Sequence, residues 1–313
     1  AGVQIIGNGG SIIFNADNLI ASGNGADNLQ IGSEALLLPP VYPGPLLGTN
    51  FLGNVTNSVF DDSVSGSGVV FSMDGGQGSL TLTNVSAQNN FVDGMGIFGT
   101  NATSMVATVN DSFMNGNGRD GFHVEGTAGA IIDLTVDPTQ VQFNGRDGLF
   151  FNLADSTLNV SFLDNLVDQN DRSAIHGEMD NSTLNLLFDN TTGNLSGGHG
   201  LFLQAVNGSI ASLTVNNGTF ADSGRLLPGS DGVHIESDAS FVTLVMNDTP
   251  ANNTSAPPAG TQRHGMFLDI QNGSIFDGTV TNGNFTNSLN HGLNATFGDS
   301  LASLVLDNTS LSN

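Results

Sequence analysis

"RDGFHVEG", Arg119 to Gly126, and "RDGLFFNL", Arg146 to Leu153, begin alike 27 residues apart and then diverge, His-Val-Glu in one and Phe-Phe-Asn in the other. With the Gly of "DGF" as an anchor, equivalent positions fall at Gly2, Asn28, Gly68, Gly94, Gly121, Gly148, Ala174, Gly200, Gly232, Gly265 and Gly292. The intervals are 26, 40, 26, 27, 27, 26, 26, 32, 33 and 27 residues, a period typical of one supersecondary unit in a repeat protein.

Each anchor is followed by an apolar residue, from Val3 through Phe122 and Leu149 to Leu293. Two residues further on, all but Gly177 and Ala295 are large and apolar. Alternation with period two predicts a strand with one buried face. A second alternating segment follows, as in "STLNVSF" at Ser156 and "STLNLLF" at Ser182, and then a polar third segment such as "DNLVDQN". The unit is three short extended segments joined by Gly, Asn and Asp turns.

Such a unit is one coil of a parallel β-solenoid. The pattern resembles the right-handed parallel β-helix repeats of pectate-lyase-like proteins, autotransporter passengers and giant bacterial surface-fibre proteins. The resemblance implies an all-β right-handed β-helix of about 11 coils, and it concerns architecture, not activity. Residues 1–313 are expected to form one solenoid domain, with proline-rich loop insertions at 34–50, 226–230 and 254–262 where the anchor spacing lengthens. The repeat runs in core register from Val3 to Leu311, so stacking of copies end to end is a further expectation.

Composition narrows the partners. There are 29 acids against five arginines and no lysine, and the net charge is -24. Such a surface repels phosphate backbones and anionic lipid, which argues against nucleic acid and acidic membranes. Without cysteine, disulfides and thiolate chemistry are excluded, and no apolar run reaches the length of a membrane span. Many Gly and Asn residues and a strongly acidic balance fit an extracellular, cell-surface chain, whereas many of the seventeen Asn-X-Ser/Thr sequons are expected by chance in a chain this rich in Asn, Ser and Thr.

If positions one and three past the anchor point inward, positions two and four point out. The first outward row is then His123, Phe150, His176, Phe202, His234 and Phe267, and the second is Glu125, Asn152, Glu178, Gln204, Glu236 and Asp269. The alternation is either the trace of a duplicated two-coil module or a contact face, because a line of outward phenylalanines is not normally left wet. Metal binding is disfavoured, since His-x-Glu pairs recur only every second coil, roughly 9.6 Å apart by twice the strand spacing. No other cofactor is indicated, although Asp- and Asn-rich turns are compatible with calcium.

Arg119, Arg146, Arg172 and Arg263 each lie two residues before an anchor, beside acids such as Asp120 and Asp147, and Arg225 precedes the second insertion. They form either an Arg–Asp corner ladder or a cationic stripe that captures anionic polysaccharide. "GHG" at Gly198 to Gly200 is similar to a polygalacturonase motif, but "HG" recurs at His264 and His291 and no "NTD" or "RIK" accompanies it. With the acids spread along the sequence, a single tyrosine (Tyr42) and no tryptophan, the expectation is a non-enzymatic structural or adhesive rod that binds copies of itself or a surface. The alternative is a β-helix that binds or degrades polysaccharide.

Overall fold

The computed structural model describes residues 1–32, 45–224, 226–227, 229–251 and 262–312. The chain winds as a parallel β-solenoid of about 11 turns. All ten inter-coil steps of the first face have the register read from the anchors. Val3 pairs with Leu29, Leu29 with Val69, Val69 with Met95 and Met95 with Phe122. The row continues through Leu149, Ile175, Leu201, Val233, Met266 and Leu293.

The second alternating segments stack just as regularly, for example Thr157–Leu163 on Thr183–Asp189. The third face is much thinner. Among the described residues it consists of the run-on ends of long strands in the early coils, such as Phe113 on Gln140, then isolated bridges such as Leu166 to Thr192, and the short pair Asn284–Phe285 on Ser310–Leu311.

The core follows from the alternation. Leu149, Ile175, Val233 and Phe122 are fully buried, and one continuous apolar cluster runs along the axis. Gly177 interrupts the inward row because the Phe151 ring of the preceding coil fills its place; a Cβ at Gly177 would lie 2.0 Å from that ring. At the corner after the second strand the backbone turns through the left-handed region at Asn84, Asn190, Asn217 and Asn308. Asn tolerates that conformation better than other side chains, which explains its density there.

The insertions need adjustment. Residues 46–50, read as loop, belong to the strand Leu46–Val59, which pairs with Val69–Ser86 from Leu46 opposite Met73 onward. Of the second insertion, Leu226, Leu227, Gly229 and Ser230 form bends and turns without strand. Residues 34–44 with Tyr42, residues 254–261, and Arg225 lie outside the described residues.

Candidate functional site

The first-face strands place the six outward rings in one column. They are supplied by Phe122–Thr127, Leu149–Ala154, Ile175–Asp180, Leu201–Val206, Val233–Asp238 and His264–Gln271. The rings stack along the axis, with centroid separations of 4.9 Å for His123–Phe150, 5.5 Å for Phe150–His176 and 4.6 Å for His176–Phe202. Phe202–His234 and His234–Phe267 follow at 5.2 and 4.6 Å.

The rings are less exposed than an outward contact face leads one to expect. Phe150 and the three histidines of the row are buried, and Phe202 and Phe267 are half-buried. Each ring covers the faces of its neighbours, and guanidiniums fold over two of them, Arg146 over Phe150 at 4.9 Å and Arg263 over Phe267 at 5.0 Å.

The alternation has a chemical basis. The buried Asp120 accepts a hydrogen bond from His123 Nδ1 at 2.9 Å, and Glu125 accepts one from Nε2 at 2.9 Å. Asp231, His234 and Glu236 repeat this chain at 2.7 and 3.0 Å. Burial opposes a charged imidazole, but the two carboxylates outweigh it and raise His123 to about 9. They raise His234 in the same way. In the His176 coil Ser173 stands where Asp120 and Asp231 stand in theirs, and Arg172 Nη2 donates to His176 Nδ1 at 2.8 Å. Burial and that guanidinium together depress His176 to about 4. Phenylalanines thus separate the raised imidazoles His123 and His234 from the neutral His176.

Beside the rings runs the arginine column, and it contains two kinds of member. Arg119 reaches Asp93 through Nε at 2.8 Å and Nη2 at 2.6 Å, and Arg263 reaches Asp231 at 3.2 and 2.9 Å. These are the fork contacts of the expected ladder. Arg146 comes only within 3.6 Å of Asp120 and 3.7 Å of Asp147, and Arg172 within 3.7 Å of Asp147.

On the other side of the rings the second outward row is accessible. Asn152 is exposed, and Glu125, Glu178, Gln204, Glu236 and Asp269 are partly so. Towards the later coils the row lines a polar cleft of about 220 Å³ among Gln204, Glu236, Asp238, Asp269, Gln271 and Asn272. In it Gln204 Nε2 donates to Glu236 at 2.9 Å and Gln271 Nε2 to Asp269 at 2.6 Å.

A larger groove of about 440 Å³ lies away from this strip, on the second face of the early coils, beside Ile13, Leu52 and Val106. That face also carries an exposed apolar row at Ile210, Phe241, Ile275 and Leu301. Two groups, Asp93–Asp120–His123 and His199–Asp231–His234, bring three ligand-type atoms within 4.8 Å of one another. Asp93 and Asp231 in those groups already hold guanidiniums. His199 Nδ1 accepts the backbone N–H of Asp231 at 3.1 Å, and burial with the neighbouring His234 lowers it to about 3.

Two features were missed in the sequence. Phe98 sits in the second outward column, yet its ring lies over Gly96 and extends the stack to His123 at 5.7 Å. Buried Asn90, Asn117, Asn144 and Asn170 form an internal amide ladder at 2.9–3.0 Å per step. The signal was present, since each stands four residues before its anchor.

No family model and no curated protein matches the chain. Among solved structures, the A-module of the mannuronan C-5 epimerase AlgE6 of Azotobacter vinelandii is similar. The TM-score is 0.39 at 10% identity, over 97% of this chain and 91% of that one. A likeness this distant transfers no activity or residue role to the present chain. The expectation of a non-enzyme is corrected on the structure of this chain itself. That expectation rested on acids scattered in sequence, whereas the winding brings Glu236 and Asp269 into adjacent positions on neighbouring strands, in one cleft.

Proposed function

We propose that the chain is an extracellular polysaccharide-binding β-solenoid whose first face is the bed for a linear glycan. The observation that carries this reading is the second outward row. Six carboxylate and amide side chains, Glu125, Asn152, Glu178, Gln204, Glu236 and Asp269, recur once per coil in strict register. Planar side chains of this kind donate to and accept from vicinal hydroxyls. The stacked rings and the amide ladder make the bed rigid, which limits the entropy lost on binding.

A linear polymer with repeating hydroxyls matches a linear row with a coil spacing of about 4.8 Å. The rings present edges rather than faces to solvent, so recognition rests on hydrogen bonds and not on sugar stacking. Affinity electrophoresis through gels containing individual polysaccharides tests the reading. At least one glycan is expected to retard the protein, and Gln204→Ala with Glu236→Ala should abolish the retardation. Unchanged migration in every glycan gel, or retardation indifferent to the double variant, would overturn it.

The cleft supports a second reading, glycan cleavage. Hydrogen bonding from His234 keeps the Glu236 carboxyl below its usual range, and Asp269 lies one coil away. Two carboxylates in different environments are what acid–base hydrolysis needs. New reducing ends released from the retained glycan, and lost in Asp269→Asn, would support it; retention without release leaves binding as the activity.

A further inference from the structure

The His/Phe alternation leaves a defect at one coil. Asp120 and Asp231 each give one carboxylate oxygen to the histidine three residues later. Asp147 is retained in the same place, but the residue three later is Phe150. Asp147 Oδ1 accepts the Ser173 N–H at 2.8 Å, while Oδ2 is buried without a hydrogen-bond partner. Arg146 Nε and Ser173 Oγ are buried nearby and also have none. Three orphaned polar atoms on consecutive corners are an anomaly, because buried polar groups are almost always satisfied.

The same spot holds the two guanidiniums that the ladder does not bind closely. Arg146 Nη2 and Arg172 Nη1 each stand 3.7 Å from Asp147 Oδ2, too far for a hydrogen bond. About a third of each side chain is exposed, 33% for Arg146 and 34% for Arg172. Both are held in place, Arg146 by its position over the Phe150 ring and Arg172 by its donation to His176. They sit on neighbouring coils, roughly one strand spacing of 4.8 Å apart.

We propose that Arg146 and Arg172 form an oxyanion site for one carboxylate or sulfate group, and that binding transfers one proton from solvent to Asp147 Oδ2. The two guanidinium forks would face the anion from the solvent side. A protonated Asp147 leaves both arginine charges to the ligand. The groups facing Asp147 are Arg146, Arg172, Asp120 and the Ser173 N–H. Burial raises Asp147 to about 7, and Asp120 adds to the rise against the pull of Arg172 and Arg146, so the proton is taken up in the neutral range. By linkage, an anion that favours the protonated form binds more tightly as pH falls through that range.

This site goes beyond the glycan reading and does not need it. Titration calorimetry with sodium sulfate, and separately with uronic-acid and neutral oligosaccharides of equal length, tests it at about pH 6 and about pH 8. Sulfate is expected to bind roughly tenfold more tightly at the lower pH, with uptake approaching one proton at about pH 8 and little at about pH 6, seen as a dependence of the heat on buffer ionisation. Asp147→Asn should bind equally at both pH values, and Arg146→Gln with Arg172→Gln should not bind. Arg146→Lys keeps the charge without the fork and should weaken binding while leaving the fold intact. Sulfate and uronate binding alike would mark a site for the free anion; uronate binding much tighter than sulfate would mark a glycan substituent. Absence of sulfate and uronate binding, pH-independent binding by the wild type, or binding unaffected by the double arginine variant would overturn the proposal. Neutral oligosaccharide binding that survives in the double variant would uphold the glycan bed while this site fails.

Discussion

Replacing Asp147 by Asn should stabilise the protein, by an amount that grows as pH rises from about 4 to about 7 and is constant above that. Asp147 is fully buried, its Oδ2 accepts no hydrogen bond, and its pKa is raised from 3.8 to about 7. Burial disfavours the ionised carboxylate more than Arg146 and Arg172 favour it. A carboxyl with a raised folded pKa lowers stability as pH rises from the unfolded value through the folded one. The difference of about 3 units corresponds to about 4 kcal/mol once the group is fully ionised. Asn keeps an oxygen for the Ser173 N–H and cannot ionise. The variant should therefore match the wild type near pH 4 and exceed it by a few kcal/mol near pH 8.5. Denaturant midpoints across that range, with a carbon-13 titration of the Asp147 carboxyl, measure both sides of the linkage. A variant less stable than the wild type near pH 8.5 would refute the reasoning, because it would mean that the guanidiniums overcompensate the buried charge.

Histidine NMR titrations should separate the row into two classes. His123 should deprotonate near 9, whereas His176 should stay neutral down to about 4. The stabilisation from His123 is then fully present below its unfolded value of 6.5 and lost as pH rises through about 9; a loss on the acid side of 6.5 would contradict it. Gly177→Ala should cost about 1–3 kcal/mol in thermal denaturation, since the new Cβ meets the Phe151 ring at 2.0 Å. Leu149→Asp places an unpaired charge at a fully buried position and should cost several kcal/mol or prevent folding; a well-folded variant would contradict the register.

The winding was legible because its determinants are local and repeated. Apolar alternation after Gly121, Gly148 and Gly200 selects the inward face, and the anchors set the pairing without error along the first face. What the rings do was less legible. Alternation says that Phe150 points away from the core, but not that His123 and His176 cover both its faces. Phe98 eluded the pattern because Gly96 leaves a gap that only three dimensions reveal. The cleft was hidden for a different reason: Glu236 and Asp269 are separated by a lengthened interval in sequence yet are direct neighbours across the ladder. At the arginine corner, Arg119 and Arg263 fork onto Asp93 and Asp231, the acids one coil earlier. The looser contacts of Arg146 and Arg172 fall on one Phe coil and one His coil, so the alternation in sequence does not signal them.

The central claim is that a glycan lies along the axis, one contact per coil from Glu125 to Asp269. Five steps of about 4.8 Å make a bed of roughly 24 Å. Binding constants for a length series of the retained glycan, from disaccharide to dodecasaccharide, measure this directly. Affinity should rise with each added unit until the oligosaccharide spans that length and then level off. An affinity already complete at the disaccharide, or still rising well beyond the bed, would contradict the account.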